Sequence, residues 1–354
     1  MKKNKIILLI IIIVLIIFVF SHIFINRKEN TFSLISKTIF EKEKNISIKK
    51  ITMNEKNSPG RIKSVFVSGG KIYILDRYYY KVMVYDKEFK FLYSIGRAGQ
   101  GPGEIYSPGG IFVDNNKIYI FNVPDRFEIF SKNGEYLKTI RLKFNSNDDI
   151  TKTNCDSFAI CEGKIYLYCF IGKNKVKVFD MSGNLLKNLI KRENSRITPG
   201  YSYLADFRRL YISKSKKYLI LSSLLDGSSE LYDLKSGKML YKFSLKEKET
   251  EERVAKLRKK IKDDKKEHSV ISVKVFAFFS VSYDPYNDNI WILKRRRKKK
   301  HYVLYIVNPG KKLIRRIYFP WKNNIEIIKF FFLDKNSVFF YDDNYDVYKI
   351  FFGG

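Results

Sequence analysis

One short phrase recurs six times along this chain, and each copy carries a strand entered through a tight turn. The copies begin Gly70-Lys71-Ile72-Tyr73-Ile74, Asn116-Lys117-Ile118-Tyr119-Ile120, Gly163-Lys164-Ile165-Tyr166-Leu167, Lys216-Lys217-Tyr218-Leu219-Ile220, Asp288-Asn289-Ile290-Trp291-Ile292 and Asn336-Ser337-Val338-Phe339-Phe340. Aligned on their second residues they fall at 71, 117, 164, 217, 289 and 337, in steps of 46, 47, 53, 72 and 48. A second phrase follows in the first four units: Lys81-Val-Met-Val-Tyr-Asp86, Arg126-Phe-Glu-Ile-Phe130, Lys175-Val-Lys-Val-Phe-Asp180 and Glu230-Leu-Tyr-Asp233. Its apolar and polar residues alternate with a period of two, as a strand with one buried face requires. Asn133-Gly134, Ser182-Gly183 and Ser236-Gly237 come next, residues that tolerate positive φ in a hairpin, and then a further strand returns.

Four strands per unit of about 40–50 residues predict an all-β fold, a six-bladed β-propeller spanning 45–354. The last unit offers only three strands. The stretch 45–52, ahead of the first unit, is expected to supply the fourth and so close the ring, which removes exposed strand edges. The long step of 72 predicts a charged helical insertion at 246–268 between blades four and five. Glu249/Arg253 and Glu252/Lys256 pair at i,i+4 there, with Val254, Leu257 and Ile261 along one side. Two readings of this helix stand open: a partner-docking element, or a solvated insertion.

Ahead of the repeats, 6–25 is a 20-residue apolar run broken only at Ser21 and His22, with Lys2, Lys3 and Lys5 before it. At a rise of about 1.5 Å per residue it spans one bilayer core, so it is expected to be a transmembrane signal anchor. No Ala occurs before Ala98 and no Cys before Cys155, which excludes both an Ala-x-Ala cleavage site and a lipoprotein cysteine in this region. Residues 1–5 are then a cytoplasmic tail and 26–44 a linker, with the C-terminal part outside the cytoplasm. Arg27, Lys28, Lys37, Lys42 and Lys44 on the far side weaken the charge argument for that orientation.

The chain carries 68 Lys and Arg against 36 Asp and Glu, a net charge of +32. Together with the abundance of Ile, Asn, Tyr and Phe this fits the drift of an AT-rich genome, and it equally fits a surface for acidic glycans, anionic lipids or nucleic acid. Its most concentrated element is the run of seven cations at 294–300, placed in a hairpin loop of the fifth blade. Arg295, Arg296, Arg297, Lys298, Lys299 and Lys300 are the candidates for a polyanion contact.

The segment Ile95-Gly-Arg-Ala-Gly-Gln-Gly-Pro-Gly-Glu104-Ile-Tyr-Ser-Pro108-Gly-Gly-Ile-Phe-Val-Asp114 joins the first two units. With Lys117-Ile-Tyr-Ile120 and Arg126-Phe-Glu-Ile-Phe130 it resembles the repeat of NHL-type six-bladed β-propellers. Membrane-tethered and lipoprotein bacterial relatives of that class, most without an assigned activity, are still more similar. The resemblance is strong over about 76–142 and fades in later blades. Leu75-Asp76 fits the family phrase, whereas Phe121-Asn122 departs from it. It implies ligand binding on the loop face around the channel, where Asp76, Arg97, Glu104 and Asn122 are the candidates. Gly96, Gly99, Gly101 and Gly103 precede a strand rather than a helix and lack a following Gly-Lys-Ser/Thr, so they are expected to form a blade-connecting loop and not a phosphate cradle.

Catalytic arrangements are scarce. The chain has 3 His, and His268 and His301 fall in the insertion and after the basic run, which leaves no zinc cage or His-based triad. Asp76, Asp114, Asn122, Asp156 and Asp206 are too loosely spaced to specify a calcium site of the kind held by lactonase-type propellers, which this architecture resembles. Cys155, Cys161 and Cys169 match no zinc knuckle. Buried free thiols or one Cys161–Cys169 disulfide are both compatible with them. No catalytic residue, metal or other cofactor is expected. The sequence therefore points to a membrane-anchored binding or scaffolding propeller for a protein or glycan ligand. A metal-dependent hydrolase or lyase is the alternative, as is an RNA binder, which the anchor disfavours.

Overall fold

A computed structural model describes residues 31–33, 38–41, 46–114, 116–144, 157–169, 173–192, 208–245, 252, 255, 279–294, 301–308, 313–320 and 327–352. The predicted anchor at 6–25, the basic run at 295–300 and, apart from Glu252 and Ala255, the insertion at 246–268 lie outside these residues. No helix among the described residues is long and apolar enough to cross a membrane.

Six antiparallel sheets succeed one another along the chain. Blade one is Ile62–Ser68, Lys71–Asp76, Lys81–Tyr85 and Phe91–Ile95. Blade two is Pro108–Val113, Lys117–Asn122, Arg126–Ser131 and Tyr136–Arg141. Blade three is Ser157–Cys161, Lys164–Tyr168, Asn174–Asp180 and Leu185–Lys191. Blade four is Arg208–Ile212, Tyr218–Ser223, Ser229–Asp233 and Met239–Ser244. Blade five is Phe279–Asp284, Asn289–Lys294, His301–Asn308 and Leu313–Pro320. Blade six takes Ile327–Phe332, Val338–Asp342 and Val347–Phe352 from its own unit. The first strands of successive blades contact one another around the ring, so they are innermost. Turns between strands one and two, and three and four, share one end of the disc, the hairpin face. The other end, which carries the two-to-three turns and the blade-to-blade connections, is the crossover face.

The ring closes as its patterning predicts. Ile46–Lys50 pairs antiparallel with Val347–Phe352, in a register that sets Ile48 opposite Ile350. A 2.6 Å Lys50–Asp346 ion pair accompanies it, but both side chains are solvated and such pairs contribute little. Two short stretches of the expected linker also form strands. Thr31–Ser33 adds parallel to the outermost strand of blade four, and Thr38–Glu41 to that of blade five.

The core lies between blades. Six clusters of buried apolar side chains occupy the six blade interfaces, for example Tyr73, Val82, Ile111 and Ile120 between blades one and two. This corrects the expectation of one buried face in the third strands. Lys81–Tyr85 and Arg126–Ser131 are buried on both faces, because every blade is sandwiched between two others. The polar members of the alternation are therefore buried too: Glu128 is 0% and Lys177 2% exposed. Fourth strands, such as Tyr136–Arg141, show the half-exposed pattern.

Glycine turns behave as their sequence requires. Gly183 has φ +85°, and a Cβ there would lie 2.0 Å from the Arg141 carbonyl oxygen of the preceding blade. Both the left-handed conformation and the close approach demand glycine.

Candidate functional site

The Gly-rich connection between blades one and two is a braced loop at the crossover face. Gly99 has φ +150°, and a Cβ on it would meet Glu104 Oε2 at 2.1 Å. Arg97 Nε donates to Glu104 Oε1 at 2.9 Å, and the Gly101 N–H donates to Oε2 at 2.8 Å. The Gly101 N–H, followed by Arg97, holds this carboxyl below the usual range. From below, Arg126 donates to the Gln100 and Glu104 carbonyls, and its guanidinium stacks on Tyr106 at 4.7 Å. Arg126 Nε lies 2.6 Å from Glu128 Oε1 in a buried ion pair set off the N–H direction, while Glu128 Oε2 accepts from Gly103 N and Thr139 Oγ1.

Asn122 belongs to the same brace. Its Nδ2 donates to the Glu104 carbonyl at 3.0 Å and its Oδ1 accepts from Tyr106 N at 3.3 Å. Asp76 stands apart in blade one, fully buried. One oxygen accepts from Tyr78 N and Tyr79 N, and the other from Gly60 N and Arg61 N. Two bonds per oxygen occupy its lone pairs, so Asp76 ties the two-to-three turn to the chain entering the blade. Structure thus brings Arg97, Glu104 and Asn122 together and places Asp76 elsewhere. Arg97 is the outward-facing member, its side chain 81% exposed. None of these four residues lines the central cavity.

That cavity, about 850 Å³, is lined by the first strand of every blade. An innermost strand has a sheet neighbour on one side only, so its other edge carries unpaired backbone groups towards the axis. Hydroxyls meet several of them across blade boundaries. Ser157 Oγ accepts from Leu210 N at 2.8 Å, and Ser282 Oγ from Phe330 N at 3.0 Å. Ser280 Oγ donates to the Ile328 carbonyl at 2.5 Å, and the Tyr211 hydroxyl to the Val281 carbonyl at 2.9 Å. These staples knit blades three to six, and sequence reading missed them because the first strands were never aligned with one another.

The lining is cationic. Lys63, Lys117, Lys138, Arg209, Lys214, Lys216 and Lys329 contribute, against Asp114 and Glu162. Asp114 is committed to its turn, accepting from Asn116 N, Lys117 N and the Tyr119 hydroxyl. Burial pushes the phenols of Tyr119, Tyr211 and Tyr283 up, so they remain neutral donors. Cys161 lines the cavity and Cys169 lies at the other end of the same hairpin; both are buried and neither is in a disulfide. Burial pushes the Cys161 thiol up, away from thiolate chemistry.

A second charged cluster is structural, between blades three and four. Glu230 receives Lys175 at 3.0 Å, Arg208 at 3.3 Å and Lys242 at 3.7 Å, with the Tyr232 hydroxyl at 2.7 Å. Burial raises its carboxyl, but Arg208 and Lys175 outweigh that and hold it at about 2. Among the described residues, no group of three or more His, Cys, Asp or Glu can share a metal ion.

Known structures share this architecture. A Bacteroides fragilis protein named as exported superposes with a TM-score of 0.56 at 12% identity, covering 91% of this chain and 100% of its own. A member of the DUF4221 family from Bacteroides vulgatus gives 0.55 at 13%, covering 88% and 100%. A streptogramin B lyase gives 0.51 at 11%, covering 88% and 100%. At such identities the likeness is one of fold alone. No curated protein matches the chain. The profile of a family described as a 6-bladed beta-propeller, DUF5128, matches residues 50–305, and six closed blades with a shared axial cavity are its architecture here: the chain belongs to that family.

Proposed function

We propose that this protein is a membrane-anchored, extracytoplasmic binding module that holds a small ligand in its central channel. The observation that carries the reading is the channel: about 850 Å³, contributed by all six blades, with apolar walls and a few convergent hydroxyls and cations. That size and chemistry suit a small-ligand site. The apolar run at 6–25 supports the anchor, and the likeness to an exported propeller supports an extracytoplasmic domain. In this reading Arg295 to Lys300 form a separate electrostatic contact with an anionic surface, and Arg97 with Glu104 marks the crossover face for a partner.

The test is a thermal-shift screen of small molecules on the full chain in nanodiscs, run beside Ser64→Trp, which places an indole in the channel. Ligands whose shift disappears in the variant support the reading. Shifts that persist unchanged, or a screen without any shift, overturn it. A C-terminal alkaline phosphatase fusion that is inactive in cells would reject the orientation.

A further inference from the structure

Four of the seven large apolar side chains exposed among the described residues stand on the outermost strands of three successive blades. They are Leu92 in blade one, Tyr136 and Leu137 in blade two, and Leu186 in blade three. The other three are Tyr78 and Tyr79 in a turn of blade one and Phe351 in the third strand of blade six. Scattered singly over a surface such residues mean little. Here each of the four lies on a strand that, among the described residues, has a sheet neighbour on one side only. The other edge of such a strand presents a row of backbone N–H and C=O groups that can pair with an added strand.

The chain itself demonstrates that these rims accept one. Thr31–Ser33 and Thr38–Glu41 add in parallel to the corresponding strands of blades four and five. The covered strand of blade four has no exposed side chain. Blade six ends on Ile46–Lys50, whose exposed members are Ser47, Lys49 and Lys50. The N-terminal stretch thus belts blades four to six, and the rims that expose leucine and tyrosine belong to the opposite half of the ring.

Charge narrows what those rims would take. The outermost strands of blades two and three carry Lys138, Arg141, Lys187 and Lys191, all exposed, and no acid, while that of blade one is uncharged. Lys138 and Lys187 each reach a turn of the next blade, where they donate to the carbonyls of Met181 and Lys235. Those acceptors are neutral and leave both ammonium charges in place. A second copy would bring the same cations edge to edge on a chain of net charge +32, and like charges facing across paired strands are destabilising.

We propose that the rims of blades one to three bind an extended acidic segment of a partner protein by strand addition. Apolar residues of that segment lie against Leu92, Leu137 and Leu186, and its carboxylates against Lys138, Arg141 and Lys187. Main-chain bonds supply affinity in this mode, and alternate side chains supply specificity. The surface is separate from the channel, so neither reading depends on the other.

The probe is the peptide Glu-Val-Glu-Val-Glu-Val, capped at both ends and titrated into the full chain in nanodiscs of neutral lipid. One comparator is the same peptide N-methylated at every residue, which keeps its charge but donates no backbone bond. The other replaces each Glu by Lys. The acidic peptide is expected to bind at least about tenfold tighter than either, equivalent to about 1.4 kcal/mol. Leu137→Ser/Leu186→Ser should weaken it about fivefold with no change in the thermal midpoint, since both side chains are exposed. Amide exchange locates the contact: bound peptide should slow it within 91–95, 136–141 and 185–191, and leave 239–244 and 313–320, already paired on both sides, unchanged. Equal binding of the N-methylated peptide refutes strand addition, and equal binding of the Lys peptide refutes the acidic partner. Protection elsewhere, no binding, or edge amides already slow in the free chain also overturn the proposal. If those amides become fast only on dilution, a second copy is the occupant and the acidic partner is rejected.

Discussion

Deleting the Glu128 carboxylate alone should cost more stability than deleting both members of its ion pair. Glu128 is 0% exposed and the Arg126 side chain 5%, so neither charge is hydrated. Glu128→Leu strands the guanidinium without its counter-ion, a loss of about 3–5 kcal/mol for a buried pair. It also removes the acceptor of the Gly103 N–H and the Thr139 hydroxyl, each bond worth about 1 kcal/mol. Arg126→Met/Glu128→Leu removes both charges and leaves unfilled the bonds to Gly103, Thr139, Gln100 and Glu104, about 1–3 kcal/mol in all. Urea midpoints of the three proteins give the comparison, and amide exchange at Gly101 to Glu104 gives the local effect, about 100-fold faster in the single variant. If the single variant loses less than about 1 kcal/mol, or the double loses the sum of the two singles, the pair is not a coupled buried unit and this reasoning fails.

Three further outcomes follow from the same contacts. Glu230 titrates at about 2 in the fold against an ordinary 4.5, so its stabilisation is complete above pH 4.5 and is lost as pH falls towards 2. Glu230→Gln should flatten that acid limb, and an unchanged acid limb would reject the assignment. Gly183→Ala should destabilise by at least about 2 kcal/mol, from its positive φ and its contact with the Arg141 carbonyl, as read by thermal unfolding; a cost within a few tenths would contradict the geometry. Ser282→Ala should cost about 1–3 kcal/mol by orphaning the buried Phe330 N–H, whereas Ser236→Ala, in an exposed turn, should cost less than half as much.

Much of the fold was legible because its signals are local. Lys71-Ile-Tyr-Ile and its five relatives, the Gly134, Gly183 and Gly237 turns and the spare strand near Ile48 each report a backbone requirement readable from a few neighbouring residues. Asn122 and Glu104 stood only as two of four candidates on the loop face; the fold joins them at one loop, where they hold its backbone. Asp76 was read as a surface candidate because an acid at a repeat position looks functional; its four N–H donors come from two separated stretches of chain that only the fold brings together. Lys63, Arg209 and Lys329 went unnoticed among 68 cations, since nothing local sets them apart.

By itself, the amino-acid sequence determined the number of blades, the place of their turns and the strand that closes the ring, because strand period and glycine conformation are properties of short segments. Tertiary structure alone decided that both faces of the third strands are buried, and that Lys63, near the start of the ring, and Lys329, near its end, line one cavity with Arg209. Closing six blades around an axis superposes equal rungs of strands far apart in the chain, and no spacing along the chain encodes that meeting before the ring is closed.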